Sequence, residues 1–201
     1  MFLIKKGDFF IIIKNEKNMS NTRGITLIEI VVVVSIIAIL VLALAFSFQG
    51  WMGKYRVESG IKQIYVDLMN TRARAMTRNR FHFTDFPTAT SYRLIEDTNG
   101  NSASNPGAGD NTLSTKTVDY AVTWAGGTIQ FDNRGIVLPS ATPLGATICI
   151  FTDYDGDGSN LSDFDPDSDC IVISQTRINT GKLTAQNTAG GACDDANCVV
   201  R

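Results

Sequence analysis

Between Ile25 and Phe48 the chain reads ITLIEIVVVVSIIAILVLALAFSF, 24 residues with a single charge, Glu29. A helix rises about 1.5 Å per residue, so such a run spans the roughly 30 Å hydrocarbon core of a bilayer. It is apolar on every side, unlike an amphipathic core helix, and strands rarely exceed about ten residues. The run therefore predicts a membrane-spanning helix. A carboxylate at that depth costs about 2.5–3.5 kcal/mol on insertion scales and calls for a partner. No Lys or Arg lies between Gly24 and Lys54. Cleavage between Gly24 and Ile25 would create one, an α-ammonium four residues before Glu29.

Gly24-Ile25-Thr26-Leu27-Ile28-Glu29 followed by this apolar run resembles the cleavage and methylation signal of type IV prepilins and type II secretion pseudopilins. The resemblance implies cleavage after Gly24 by a prepilin peptidase, N-methylation of Ile25, and pairing of Glu29 with an N-terminal amine during assembly. The chain departs from the family's commoner pattern twice. Ile25 stands where Phe or Met is usual, and Phe46 where major pilins carry a helix-kinking Pro. Gly50 and Gly53 offer another place for the helix to soften. A secretory signal peptide cut after Ala43-Leu44-Ala45 is the plainer reading, but its apolar region would be too long and would hold an acid. An uncleaved single-pass anchor is another. Residues 1–18 fit neither scheme, and Met19 offers an alternative start, with MSNTRG as a short basic leader.

Beyond the apolar run, Val57, Ile61, Ile64, Leu68 and Met76 recur at helical spacing. Arg56, Lys62, Arg72, Arg74, Arg78 and Arg80 lie largely off that stripe. The pattern predicts one helix from about Ile25 to about Arg80, amphipathic in its second half. From Phe81 onward short β-rich runs appear: FHFTDF, SYRLIE, TVDYAVTW, GTIQFD, ATICIF and CIVISQ. Turn-forming clusters separate them, and Asp97–Asn111 reads as a long, mobile hairpin loop. The expected fold is α+β: a long N-terminal helix, membrane-spanning in its first half, packed on a small antiparallel sheet or sandwich. The segments follow as a leader (1–24), a transmembrane or filament-core helix (25–50), an amphipathic helix (51–80) and a periplasmic β-rich head (81–201). Charge divides the same way: residues 1–80 hold 12 Lys/Arg and 5 Asp/Glu, whereas 81–201 hold 6 and 15. The four arginines Arg72, Arg74, Arg78 and Arg80 read as a solvated face rather than a DNA surface, since no aromatic side chains interleave them.

The stretch IYVDLMNTRARAMTRNRFHF is similar to a segment of the H-type minor pseudopilins and their type IV pilus counterparts (the GspH/FimT group). GTIQFDNRGIV, ATICIF and IVISQTRINTGKL follow that group's strand order. This resemblance implies a long helix packed against two small β-sheets.

Cys149, Cys170, Cys193 and Cys198 all lie in the head, and an even count in an exported domain points to disulfides. Three pairings are open. Cys149–Cys170 with Cys193–Cys198 is the one expected, because the first two sit on strands flanking one loop. That loop holds seven aspartates, and its Asp153-Tyr154-Asp155-Gly156-Asp157-Gly158 fits the opening of an oxygen-ligand calcium loop. Asp153, Asp155, Asp157, Ser159, Asp163 and Asp165 are the candidate Ca²⁺ ligands. Phe164 occupies the twelfth position, where an EF-hand carries a bidentate Glu. The single histidine, His82, argues against a His-ligated metal or a Ser-His-Asp triad, and no pocket-forming nucleophile is apparent. The resemblance thus implies a non-enzymatic structural subunit. Its expected place is the inner membrane, single-pass with a periplasmic head, and then a pseudopilus or pilus. The expected partners are prepilin peptidase, other major and minor pseudopilins or pilins, the assembly platform and inner-membrane lipid, with DNA contact not expected. Calcium is the one cofactor expected.

Overall fold

The computed structural model describes residues 24–124, 127–138, 146–150, 152, 164–184 and 193–201, without the side chains of 44–49. The described elements are α1 (Leu27–Arg78), β1 (His82–Thr88), β2 (Ser91–Glu96), β3 (Asn111–Thr117), β4 (Val122–Trp124), β5 (Ile129–Phe131), β6 (Val137–Leu138), β7 (Ala146–Ile150), β8 (Cys170–Ile173), β9 (Ile178–Leu183) and β10 (Cys198–Val200). The chain divides into two compact units, Met1–Ala43 and Leu44–Arg201, and every strand belongs to the second.

α1 stops where its sequence allows a cap. Asn79 takes a left-handed conformation with φ 52°, and the Arg80 N–H reaches back to the Ala75 carbonyl at 3.2 Å. This is a Schellman-type ending, and Asn tolerates positive φ better than most residues. Within the second unit the helix buries Gly53, Val57, Gly60, Ile61, Ile64, Leu68, Thr71 and Ala75. Met76, expected on that stripe, is 47% exposed, while Ala75 is fully buried. A period of 3.6 residues carries the stripe from Leu68 through Thr71 to Ala75 and leaves Met76 on its flank. There Met76 covers Gly135, its Sδ 2.9 Å from where a Cβ would stand.

Two five-stranded sheets meet this face, ordered β3-β2-β1-β5-β6 and β10-β9-β8-β7-β4. All strand pairings in both are antiparallel. Alternation along the strands sorts the side chains. Ile148 and Ile150 of β7 and Ile171 and Ile173 of β8 join α1 and Tyr92, Leu94, Ile129 and Phe131 in the main core. Cys149, Cys170 and Val172 fall on the opposite face, where they cluster with Leu183 and Cys198. Gly53 and Gly60 let the layers approach: the Phe164 ring lies where a Gly53 Cβ would be, and Ile150 Cδ1 is 2.9 Å from that of Gly60. Gly53 thus seats a core aromatic.

One polar network crosses the same interface. Tyr92 Oη donates to Asp67 Oδ2 at 2.5 Å and accepts from Gln63 Nε2 at 3.1 Å. Lys116 Nζ reaches Asp67 Oδ1 at 2.7 Å. Burial pushes the Tyr92 phenol well above its usual range, and the Asp67 hydrogen bond adds to the shift. Helix, β2 and β3 are thereby fixed in one register, since a buried carboxylate without these donors would be costly.

The cysteines pair differently from the expectation, as Cys149–Cys193 and Cys170–Cys198. Cys149 and Cys170 are register partners on adjacent strands. A bridge between them would join strands that the β-ladder already holds. Both instead bond the C-terminal segment, whose Asp194, Asp195 and Asn197 give it little apolar surface of its own. Two strand spacings of about 4.8 Å would hold β8 and β10 nearly 10 Å apart in a flat sheet. The Cys170 and Cys198 Cα atoms are 6.1 Å apart, so β10 folds over β9. Gly181 permits this: a Cβ there would stand 2.7 Å from Val199 O and 2.8 Å from Cys198 Sγ.

Peptide mapping without reduction should recover the Cys149–Cys193 and Cys170–Cys198 fragments; a Cys149–Cys170 fragment would refute the arrangement. Cys198→Ser should cost about 3–4 kcal/mol for a loop of 28 residues in the chain-entropy model, measured by denaturant unfolding. Gly181→Val should destabilise the oxidised head by about 1–3 kcal/mol through overpacking.

Candidate processing and assembly site

Among the described residues no heavy atom lies within 4 Å of a Cβ built at Gly24. Ile25 is 71% exposed, and Thr26 precedes the first helical residue. The Glu29 N–H lies 3.3 Å from Thr26 Oγ1 and 3.1 Å from the Thr26 carbonyl. Thr26 is therefore the N-cap and Glu29 the third helical residue, the T-x-x-E spacing of a capping box. Nothing in the reading of the signal assigned Thr26 a role, although the spacing was there to be read. A carboxylate in the first turn also meets the positive end of the helix dipole.

From Leu27 to Leu42 every large apolar side chain is between 49% and 82% exposed. An apolar surface around a whole helix is not tolerated in water and marks a lipid or protein interface. Ile25, Glu29, Ile30, Val33 and Val34 line one shallow groove on it, which places the single carboxylate beside the residue that cleavage would make N-terminal. Ser35 does not break the apolar surface, since its hydroxyl is returned to the Val31 carbonyl at 2.7 Å. Among the described residues no helix is long and apolar enough to cross a membrane. The side chains of 44–49, which continue the run, lie outside the described residues.

The family model described as the prokaryotic N-terminal methylation motif matches residues 19–45. The chain carries the prepilin methylation motif. No curated protein matches it. Among solved structures it is similar to the type IV minor pilin FimU of Pseudomonas aeruginosa, with 15% identity over 65% of this chain and 91% of that one, and a TM-score of 0.45.

The matched segment contains Gly24, Ile25 and Glu29, and the remaining candidates lie elsewhere. Asp153, Asp155, Asp157, Ser159 and Asp163 fall outside the described residues. Asp165 is described and pairs with Lys182 Nζ at 2.5 Å, which holds its carboxyl below the usual value. Phe164, at the calcium loop's twelfth position, is 8% exposed and packs in the core beside Tyr120. The Asp167 N–H donates to Glu58 Oε1 at 3.1 Å, so the exit of the aspartate run is tied to α1. Among the described residues no three His, Cys, Asp or Glu side chains group as a metal site. His82 is fully buried on β1, its Nδ1 3.2 Å from the Arg80 carbonyl, and burial lowers its pKa. It is a core residue. Of the four arginines, Arg72 donates to the Thr176 carbonyl at 3.0 Å and Arg78 pairs with Glu96. Those two serve the fold rather than an outside ligand.

Asp169, just before Cys170, accepts from the Leu183 N–H at 2.7 Å. Burial raises its pKa from 3.8 to about 6, against the lowering effect of that bond and of Lys182. Its charged form is disfavoured by folding, so stability falls as pH rises from about 4 to about 6. Asp169→Asn keeps an acceptor for Leu183 and removes the charge. The variant should therefore gain on the wild type between pH 4 and pH 7, by on the order of 1 kcal/mol after solvent screening. Paired thermal melts check this; equal curves at both pH values would refute it. At the other end of the chain, Thr26→Ala should cost the first helical turn about 1 kcal/mol. Faster hydrogen exchange at the Glu29 amide of the detergent-solubilised protein is the readout.

Proposed function

We propose that this chain is a structural subunit, a minor pseudopilin of a type II secretion system. In this reading prepilin peptidase removes residues up to Gly24 and the Ile25 amine is methylated. The helix rests in the inner membrane with the head in the periplasm until an assembly platform extracts it. It then joins other major and minor pseudopilins in a pseudopilus, the head sitting at or near the tip to prime assembly or meet cargo. One observation carries the proposal: the Leu27–Leu42 stretch of α1 is apolar and exposed on every side, and its single acid, Glu29, stands in the first turn, four residues after Ile25. In lipid or a filament core that acid gains most by pairing with an amine, and the new N-terminus supplies one. The role is one of assembly rather than catalysis. The aspartate run is proposed to bind Ca²⁺ through Asp153, Asp155, Asp157, Ser159 and Asp163, with Asp165 left to Lys182.

Mass analysis of the membrane fraction should give a mature chain starting at methylated Ile25, and Gly24→Asp should leave the precursor uncut. A start at Phe46 would instead support signal-peptide cleavage. Glu29→Ala should be processed yet incorporate poorly into cross-linked minor-subunit complexes. Deletion of the gene should trap secreted proteins in the periplasm. Loss of surface pili with secretion intact would assign the subunit to a type IV pilus instead, and normal incorporation of Glu29→Ala would favour a simple anchored binding module.

A further inference from the structure

The β2–β3 connection, expected to be a mobile loop, is internally tied. Asp97 accepts the Gly100 N–H at 2.6 Å and the Ser102 N–H at 2.9 Å. Asn99 Oδ1 accepts the Asn101 N–H, and Asn101 Oδ1 the Ala103 N–H, each at 2.9 Å. The return side is held by Thr98 Oγ1 donating to the Gly109 carbonyl at 2.5 Å and Gln130 Nε2 donating to the Ser102 carbonyl at 3.1 Å. Glu96 and Asn111 are the last register pair of the two strands. Asp97 and Asp110 therefore follow them on the two sides of the hairpin mouth, 3% and 8% exposed.

Asp110 supplies the independent observation. Its Oδ2 accepts the Asn105 N–H at 2.7 Å, which turns the carboxylate into the loop. Its Oδ1 is buried and has no hydrogen-bond partner among the described residues. A buried carboxylate oxygen without a donor is costly and calls for a cation. Among the described residues no Lys or Arg forms an ion pair with Asp97 or Asp110. Arg80 lines the same cleft as Asp97 and Asn99 and forms no ion pair among the described residues. The Asn99 amide lies across the loop against Gly109, the residue before Asp110, its Nδ2 2.8 Å from where a Cβ would stand.

Asp97-Thr98-Asn99-Gly100-Asn101 presents oxygen donors at alternate residues, the spacing with which oxygen-ligand loops take calcium. The donors are all hard oxygens, with no nitrogen or sulfur ligand that would favour zinc. Two carboxylates balance one divalent charge. We propose that residues 97–110 form a Ca²⁺ site, with Asp97, Asn99, Asn101 and Asp110 as its side-chain ligands. Filling it satisfies the orphaned Asp110 oxygen and joins the two sides of the hairpin mouth. The site stands apart from the aspartate run at 153–165 and does not depend on the assembly role.

Hydrogen exchange and calorimetry on the full chain in detergent test it, with calcium chloride as the probe. Millimolar Ca²⁺ should slow exchange in peptides covering 97–111, and the same concentration of Mg²⁺ should not, since Mg²⁺ resists full dehydration. The dissociation constant should fall at about 10⁻⁴–10⁻³ M. Asp110→Asn should weaken binding about tenfold or more and lose the local protection, while Asp155→Ala with Asp157→Ala keeps both. If Asp110→Asn does not fold, Asn99→Ala, a change at an exposed side chain, decides in its place by the same loss of protection. Absence of calcium-specific protection at 97–111 in the wild type overturns the site, as does protection undiminished in the variant that decides.

Discussion

The packing of one face of α1, from Gly53 to Ala75, against both sheets is the contact on which the head depends. Val57, Ile61, Ile64 and Leu68 are at most 1% exposed and touch strands from both layers. Neither sheet could bury its inner face without the helix, since their chief apolar residues point at it rather than at each other's edges. Truncating such a side chain to Ala typically costs 2–5 kcal/mol, and the two helical glycines set how closely the layers approach. A helix with larger residues at 53 and 60 would lift Phe164 and Ile150 off the core. Lifting Phe164 would also loosen the exit of the aspartate run, which Glu58 holds from the same helix.

Much of this was legible because burial follows periodicity. The stripe at 57, 61, 64 and 68 named the buried face, and β-rich composition between turn-forming clusters marked SYRLIE and ATICIF as strands. The reading failed where periodicity is not the deciding force. Met76 was placed on the stripe although Ala75 fits the 3.6-residue period better. β3 was missed because NTLSTKT is a polar edge strand, held by its ladder with β2 rather than by apolar burial. The cysteine pairing failed for another reason: adjacency across a loop says nothing about which face of a sheet a thiol occupies. Alternation from Ile148 and Ile171 would have placed Cys149 and Cys170 on the outer face of the sheet. It would not have shown that the C-terminal segment crosses there. Of the candidate site, Gly24, Ile25 and Glu29 are legible as a motif, while the cap at Thr26 shows only in the structure.

The two ends of α1 make opposite demands on their surroundings. In the stretch from Leu27 to Leu42 the residues are apolar in all directions, so that segment gains nothing from one particular rotation about its axis in lipid. In the proposed role its selectivity comes from its polar groups, the Glu29 carboxylate and the amine that cleavage would create. In the second unit the reverse holds. Rotation is fixed by the stripe and by the Asp67–Tyr92–Lys116 network, and charge decorates the outer face. In the proposed lipid or filament surroundings a single charge in the first segment would therefore carry a specificity that many charges in the second do not, because low dielectric amplifies it.

Three titratable groups of the head, His82 and Asp132 buried and Asp169 half-buried, respond to acid in opposing ways. His82, held neutral by burial, contributes stability that is complete above its ordinary pKa of 6.5 and declines as pH falls below it. Asp169 acts the other way over nearly the same range, since protonation from about pH 6 downward relieves its buried charge. Each offsets part of the other's effect. Asp132 then decides what happens at lower pH. Burial works to raise its pKa, but N–H groups of Ile136 and Arg134 at 2.7 and 2.9 Å and the Arg134 guanidinium outweigh that and hold it low. Its contribution is complete above the ordinary carboxylate range and lost only as pH falls through its depressed value. Asp132 also shapes the turn that carries Gly135, with φ 75°, beneath Met76. Protonating it loosens the β5–β6 turn where it docks on α1, so that turn yields to acid last, after His82 and Asp169 have responded.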